Sequence, residues 1–120
     1  CDTVEVENND SAGLADPLVV PGTGCGVVDG WLDEDFFAVT VGAGETWTFE
    51  MRAQTIGSGL NAQLSLYDTD GTTWITDSQP NWPDDPFISH TFATAGTYYL
   101  VAESDVMLVQ DTGPYMLVVQ

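Results

Sequence analysis

The oxygen-bearing side chains near the start of the chain pose the chemical question. In Glu5-Val6-Glu7-Asn8-Asn9-Asp10-Ser11, the residues Glu5, Glu7 and Asn9 recur at every second position, and Asp10 follows at once. Along an extended backbone successive side chains point to opposite faces, with a rise of about 3.3 Å per residue. Glu5, Glu7 and Asn9 are therefore expected on one face, with Val4 and Val6 on the other. Carboxylates packed this closely repel one another unless a cation sits among them. Calcium suits such a set, being a hard ion that takes about six to eight oxygen ligands from carboxylates, amide carbonyls and the backbone. A second acidic cluster, Asp29-Gly30-Trp31-Leu32-Asp33-Glu34-Asp35, stops where the apolar pair Phe36-Phe37 begins. The expectation is that Asp33 and Asp35 meet the first cluster at one calcium site. Residues 1–16 would then be an acidic calcium-binding segment of a single domain spanning 1–120. The alternative is a solvated acidic N-terminus followed by an acidic turn.

The charge balance narrows the function classes. The 120 residues carry 19 acidic side chains against one arginine, Arg52, and no lysine, for a formal charge of −18. Nucleic-acid binding relies on basic side chains neutralising phosphates, so no nucleic-acid partner is expected. Anionic membrane surfaces are repelled for the same reason. No apolar run approaches the ~20 residues of a membrane span. The length supports one domain with a real core and not two, and a monomer is expected. Residue 1 is a cysteine and not a methionine, so the chain reads as a mature or excised fragment. If the two acidic clusters meet, the flanking Cys1 and Cys25 can meet as well, and a disulfide between them would imply an oxidising compartment. Unpaired thiols and a lipid-modified N-terminal cysteine are the other readings.

The elements that must position these residues read as short strands. Phe37, Val39 and Val41 alternate with Ala38 and Thr40. The segment Thr46–Arg52 sends Trp47, Phe49 and Met51 one way and Thr46, Thr48, Glu50 and Arg52 the other. Ala62–Leu66, Thr73–Thr76, Phe87–Phe92, Thr97–Ala102, Val106–Val109 and Tyr115–Val119 complete the series. Gly22–Gly26 is expected to be a flexible turn, Leu18–Val20 a short strand at best, and Asp77–Pro86 a long loop. No segment shows helical periodicity. Many short strands separated by turn residues predict an all-β antiparallel sandwich of about eight strands.

Taken in order, the motifs resemble a known family. The acidic opening is followed by Asp33-Glu34-Asp35-Phe36-Phe37, Gly42-Ala43-Gly44-Glu45-Thr46, Leu64-Ser65-Leu66-Tyr67-Asp68-Thr69-Asp70-Gly71, Ala95-Gly96-Thr97-Tyr98-Tyr99-Leu100-Val101 and Gly113-Pro114-Tyr115-Met116-Leu117-Val118-Val119. The whole chain resembles the bacterial pre-peptidase C-terminal domain, a family that includes the collagen-binding domains of clostridial collagenases. The resemblance implies a jelly-roll-like sandwich attached to the catalytic domain of a secreted enzyme, often a peptidase. It also implies calcium at Glu5, Glu7, Asn9 and Asp10, with Asp33 and Asp35 from the second cluster. So many carboxylates exceed the charge of one ion, so either two ions bind or some side chains stand outside the ligand shell.

Other constellations are weaker. Asp68-Thr69-Asp70-Gly71 has the opening of an EF-hand loop but lacks the later ligands, and reads as a hairpin turn with glycine at positive φ. His90 stands alone in a strand, and no Gly-x-Ser-x-Gly elbow or metal-binding cysteine set accompanies it. No catalysis by this domain is expected. Trp82, in a proline-rich loop, and Tyr99, on the face opposite Tyr98, are candidate contacts for a protein or glycan polymer. The expected function is thus a calcium-binding, non-catalytic, extracellular accessory domain. A carbohydrate-binding module and a structural or adhesion spacer are the competing classes.

Overall fold

The computed structural model of the protein describes residues 1–30, 33–80, 84–105 and 112–120. Among the described residues ten strands form two five-stranded sheets packed face to face. Sheet A has the order β1-β3-β10-β5-β8, where β1 is Thr3–Val4, β3 Gly22–Val28, β5 Glu45–Arg52, β8 Phe87–Phe92 and β10 Gly113–Val119. Sheet B has the order β2-β4-β9-β6-β7, where β2 is Asp16–Pro17, β4 Asp35–Val41, β6 Ala62–Tyr67, β7 Trp74–Ser78 and β9 Gly96–Ser104. Pairings are antiparallel except for the two-residue ladders β1–β3 and β2–β4. The chain crosses repeatedly from one sheet to the other, which is the expected jelly-roll-like sandwich. Seven of the expected eight strands lie among the described residues; the three added are β1 and β2, too short to carry an alternation signal, and β3.

The core follows from that alternation. Phe49, Met51, Ile88, Phe92, Tyr115, Leu117 and Val119 of sheet A face Phe37, Val39, Leu64, Leu66, Tyr98 and Leu100 of sheet B, all buried. An edge-to-face ring contact joins Phe37 to Tyr115 across the core, and another joins Phe49 to Phe92 within sheet A. The hairpin turn at Asp68–Gly71 is as expected: the Gly71 amide donates to the Asp68 carbonyl at 2.9 Å and Gly71 has φ +74°.

Three sequence expectations need correction. Gly22–Gly26 is not a turn but most of β3, paired residue by residue with β10. Its glycines answer to close approach: a Cβ on Gly24 would lie 2.9 Å from Leu18 Cδ1, and one on Gly26 would overlap the Tyr115 hydroxyl. Leu18–Val20 is not a strand; Leu18 is buried and its amide donates to the Ala38 carbonyl at 2.9 Å. The loop expected from Asp77 begins later, because β7 continues to Ser78. The expected strand at Val106–Val109 and the candidate contact Trp82 lie outside the described residues.

Two short ladders and a covalent bond give the N-terminal segment its path. Strand β1 adds to the edge of sheet A, where Cys1 and Cys25 form a disulfide with Cα atoms 5.9 Å apart. Strand β2 adds to the edge of sheet B. Residues 5–15 therefore run as a strap from one sheet to the other, and the acidic cluster lies on that strap.

Candidate functional site

The strap is held by its own polar groups, since its backbone leaves the ladder after Val4. The Asp16 carboxylate accepts from the Val6 amide at 2.8 Å, and the Phe36 amide donates to the Asn9 carbonyl at 2.9 Å. Glu5 turns inward against β3, where its Oε1 accepts from the Val27 amide at 2.9 Å. Val4 and Val6 are 65% and 66% exposed, so they cover no core, contrary to the role an alternating strand would give them. The strap is placed by hydrogen bonds, to carboxylates and to backbone groups, not by a hydrophobic face.

Asn9 is fully buried. Its Nδ2 donates to Glu5 Oε2 at 3.2 Å and to Asp16 Oδ2 at 3.0 Å, which fixes the orientation of the amide. Its Oδ1 is thereby turned away and has no hydrogen-bond partner. Asp35, at the start of β4, is also fully buried. Its Oδ2 accepts from the Tyr115 hydroxyl at 2.6 Å, while its Oδ1 has no donor. A buried polar atom without a partner costs about 1–3 kcal/mol, so two such oxygens beside one strap require a physical reason.

The carboxylates supply the setting. Oxygens of Glu5, Glu7 and Asp35 lie within 4.8 Å of one another, and so do oxygens of Glu7, Asp29 and Asp33. Glu7 is common to both groups. Asp33 is oriented by the Asp29 amide, which donates to its Oδ2 at 2.8 Å. Asp10 stands at the margin, where its Oδ1 faces the Glu34 amide at 3.4 Å, and it belongs to neither triad.

Electrostatics follow from this crowding. Burial pushes the Asp35 carboxyl well above the ordinary carboxylate range; the Tyr115 hydrogen bond opposes the shift, while Glu5 and Asp33 add to it. Glu7 is raised by burial, then by the charges of Asp33 and Glu5. Asp33 is raised by burial, opposed by the Asp29 amide and reinforced by Asp10 and Glu5. Tyr115 is held far above the usual phenol range, by burial first and then by Asp35, so its hydroxyl remains a donor. The chain's one arginine does not neutralise this cluster: Arg52 is paired with Glu50 at 3.0 Å on β5.

Of the residues expected from sequence, the fold thus gathers Glu5, Glu7, Asn9, Asp33 and Asp35, and it adds Asp29 to one triad. Sequence reasoning missed Asp16 and Tyr115. Asp16 looks like an isolated acid before Pro17, and Tyr115 is remote in sequence. Tyr99 is half-buried on the outer face of sheet B, beside the Asp68–Gly71 turn and Ala12. A Cβ on Gly71 would lie 3.7 Å from the Tyr99 ring, so that turn occupies much of the space above it. Tyr98 faces inward, its hydroxyl donating to the Thr94 carbonyl at 2.7 Å.

No protein-family model and no curated protein matches the sequence. Among solved structures, the pre-peptidase C-terminal domain of a collagenase from Bacillus anthracis superposes with a TM-score of 0.68 over 88% of this chain and 94% of that one, at 19% identity. The chain has the fold of a pre-peptidase C-terminal domain. A periplasmic inhibitor of g-type lysozyme from Aeromonas hydrophila, PliG, superposes with a TM-score of 0.64 over 88% of this chain and 94% of that one, at 15% identity. The likeness to the collagenase domain bears out, for the fold, the resemblance read in the sequence motifs. Among the described residues no helix is long and apolar enough to cross a membrane.

Proposed function

We propose that this domain binds calcium at the strap and serves as a non-catalytic accessory domain of a secreted peptidase. The observation that carries the calcium reading is the pair of buried, unpartnered oxygens, one on Asn9, whose amide nitrogen donates to Glu5, and one on Asp35, together with the carboxylate triads Glu5/Glu7/Asp35 and Glu7/Asp29/Asp33. All of these donors are hard oxygens, a set that suits calcium better than zinc or copper, which favour nitrogen and sulfur. Two triads sharing Glu7 favour two ions over one. Glu5, Glu7, Asn9, Asp29, Asp33 and Asp35 would hold the cations. Asp16 and Tyr115 would orient Asn9 and Asp35, and Asp10 would add charge at the margin.

The ion's effect would be mechanical. It would tie the strap to β4, to Asp29 and to Asp33, and so fasten sheet A to sheet B at one end. Binding free energy then adds to folding free energy. An enzyme linked at this end would be held at a defined angle. The accessory role rests on the fold shared with the collagenase domain, and the disulfide suits an extracellular or periplasmic setting.

The test is a thermal melt in calcium, in magnesium, in chelator and in sodium chloride of matched ionic strength. Calcium at about 100 times its Kd should add about 2.7 kcal/mol, and magnesium and sodium should not reproduce the shift. Equal shifts in all salts would mean simple screening of an acidic strap.

A further inference from the structure

The sandwich has four sheet edges, and three of them are blunted. Strands β1 and β2 are two residues long, and β2 contains Pro17. Strand β7 carries Asp77 and pairs with β6 through a register shift at Leu66/Tyr67. Short edges, prolines, charges and bulges are the devices that keep an edge from pairing with another chain. Strand β8 has none of them. Phe87-Ile88-Ser89-His90-Thr91-Phe92 contains no acid, lysine, arginine or proline, and it pairs with β5 through six residues in unbroken register. Among the described residues no strand pairs with its other side.

The ladder phase shows which groups are open. The Met51 amide donates to the Pro86 carbonyl at 3.0 Å, and Phe49↔Ile88 and Trp47↔His90 continue that register. Hydrogen bonding alternates along an antiparallel strand, so the amides and carbonyls of Ser89 and Thr91 point away from β5. The Phe87 amide, which points the same way, is taken by Ser78 Oγ at 3.1 Å. Beside this edge, between β7 and β8, lies a cleft of about 430 Å³ whose walls include Asp68, Ile75, His90, Phe92 and Tyr98. Asp68 uses one oxygen to accept from the Thr69 amide at 2.7 Å, and the chain's one arginine is engaged elsewhere.

We infer that the β8 edge accepts an extended, cationic polypeptide segment as an added strand, with a lysine or arginine side chain lying in the cleft against Asp68. Backbone pairing to Ser89 and Thr91 supplies affinity without regard to sequence, and the cleft supplies side-chain choice. Charge selects the occupant. A second copy of this chain would bring another −18 to the edge, whereas a basic segment is drawn to it. The site is separate from the strap, and its test does not depend on calcium.

The probe is a capped heptapeptide alternating lysine with valine, titrated at physiological salt. Amide exchange followed by NMR should slow at Ser89 and Thr91. The same peptide with every second backbone amide N-methylated should bind about tenfold more weakly, as two lost amide hydrogen bonds imply. Ser89→Pro should weaken the unmodified peptide similarly with little change in melting temperature, because proline is tolerated where an edge N–H faces outward. Asp68→Asn should weaken binding without altering the exchange pattern. Equal affinity for the N-methylated peptide, protection elsewhere, no binding at millimolar peptide, or a dimer of this chain paired through β8 would each overturn the inference.

Discussion

Tyr115→Phe removes one hydroxyl from the buried end of the sandwich, and its cost can be worked from the structure. The hydroxyl donates at 2.6 Å to Asp35 Oδ2, and Asp35 Oδ1 has no donor. The substitution therefore takes the hydroxyl donor from a fully buried carboxyl group whose other neighbours, Glu5 and Asp33, are carboxyls themselves. A hydrogen bond to a charged group contributes about 1.5–3 kcal/mol, and a neutral one about 1 kcal/mol. In chelator, where the raised pKa of Asp35 favours its protonated form, the loss should be nearer 1 kcal/mol. In calcium, where the proposed site requires Asp35 as an anion, it should be nearer 2–3 kcal/mol. The assay is urea unfolding followed by tryptophan fluorescence, in chelator and in saturating calcium, for Tyr115→Phe, Asp35→Asn and the double variant. The coupling between the two sites should exceed about 1 kcal/mol in calcium, and Tyr115→Phe should weaken calcium binding about tenfold, as loss of an orienting contact does. A coupling within about 0.3 kcal/mol of zero in both conditions would refute the reasoning, because Asp35 would then have no need of the phenol.

Other consequences are simpler. Reducing the Cys1–Cys25 bond opens a loop with a sequence separation of 24; the loss should be about 3 kcal/mol, or roughly 10 °C in melting temperature, measured with and without reductant and checked with Cys1→Ser/Cys25→Ser. A shift of only a degree or two would show that β1 is held without it. Asp85 is pushed up by its partial burial but held lower overall by the Thr55 hydroxyl at 2.7 Å and the Gln54 and Thr55 amides at 2.9 and 3.1 Å. Because its folded pKa is depressed, its contribution is complete above about pH 4 and disappears as pH falls through the folded value. Asp85→Asn should thus cost about 1 kcal/mol at neutral pH and flatten that part of the acid-unfolding curve; an unchanged curve would contradict this.

The sheet core was legible because its code is local. Phe49 and Met51, or Leu64 and Leu66, alternate with polar neighbours because one face of each strand meets the other sheet. Strand β3 was hidden by its glycines, which mark a turn only when no neighbour crowds them; here Leu18 and Tyr115 occupy the space of a side chain. The acidic strap was legible as a cluster, and Glu5, Glu7 and Asp35 do converge. Its conformation was not legible, since alternation presumes a ladder and the strap leaves its ladder after Val4. Tyr115 and Asp16 were missed because their roles exist only once distant segments meet: Tyr115 is 80 residues from Asp35 in sequence.

The position of β10 bears on how the protein is made. Gly113–Val119 lies inside sheet A, between β3 and β5, and pairs with both. A chain emerging in order from a ribosome or a secretion channel thus exposes β3 and β5 long before the strand that joins them exists. Folding of sheet A cannot be completed vectorially; it waits for the final strand. In that interval the inward faces of Phe49 and Met51 are uncovered, a state prone to aggregation. A dense negative charge, spread along a chain with a single basic residue, keeps such waiting chains apart until the last strand closes the sheet.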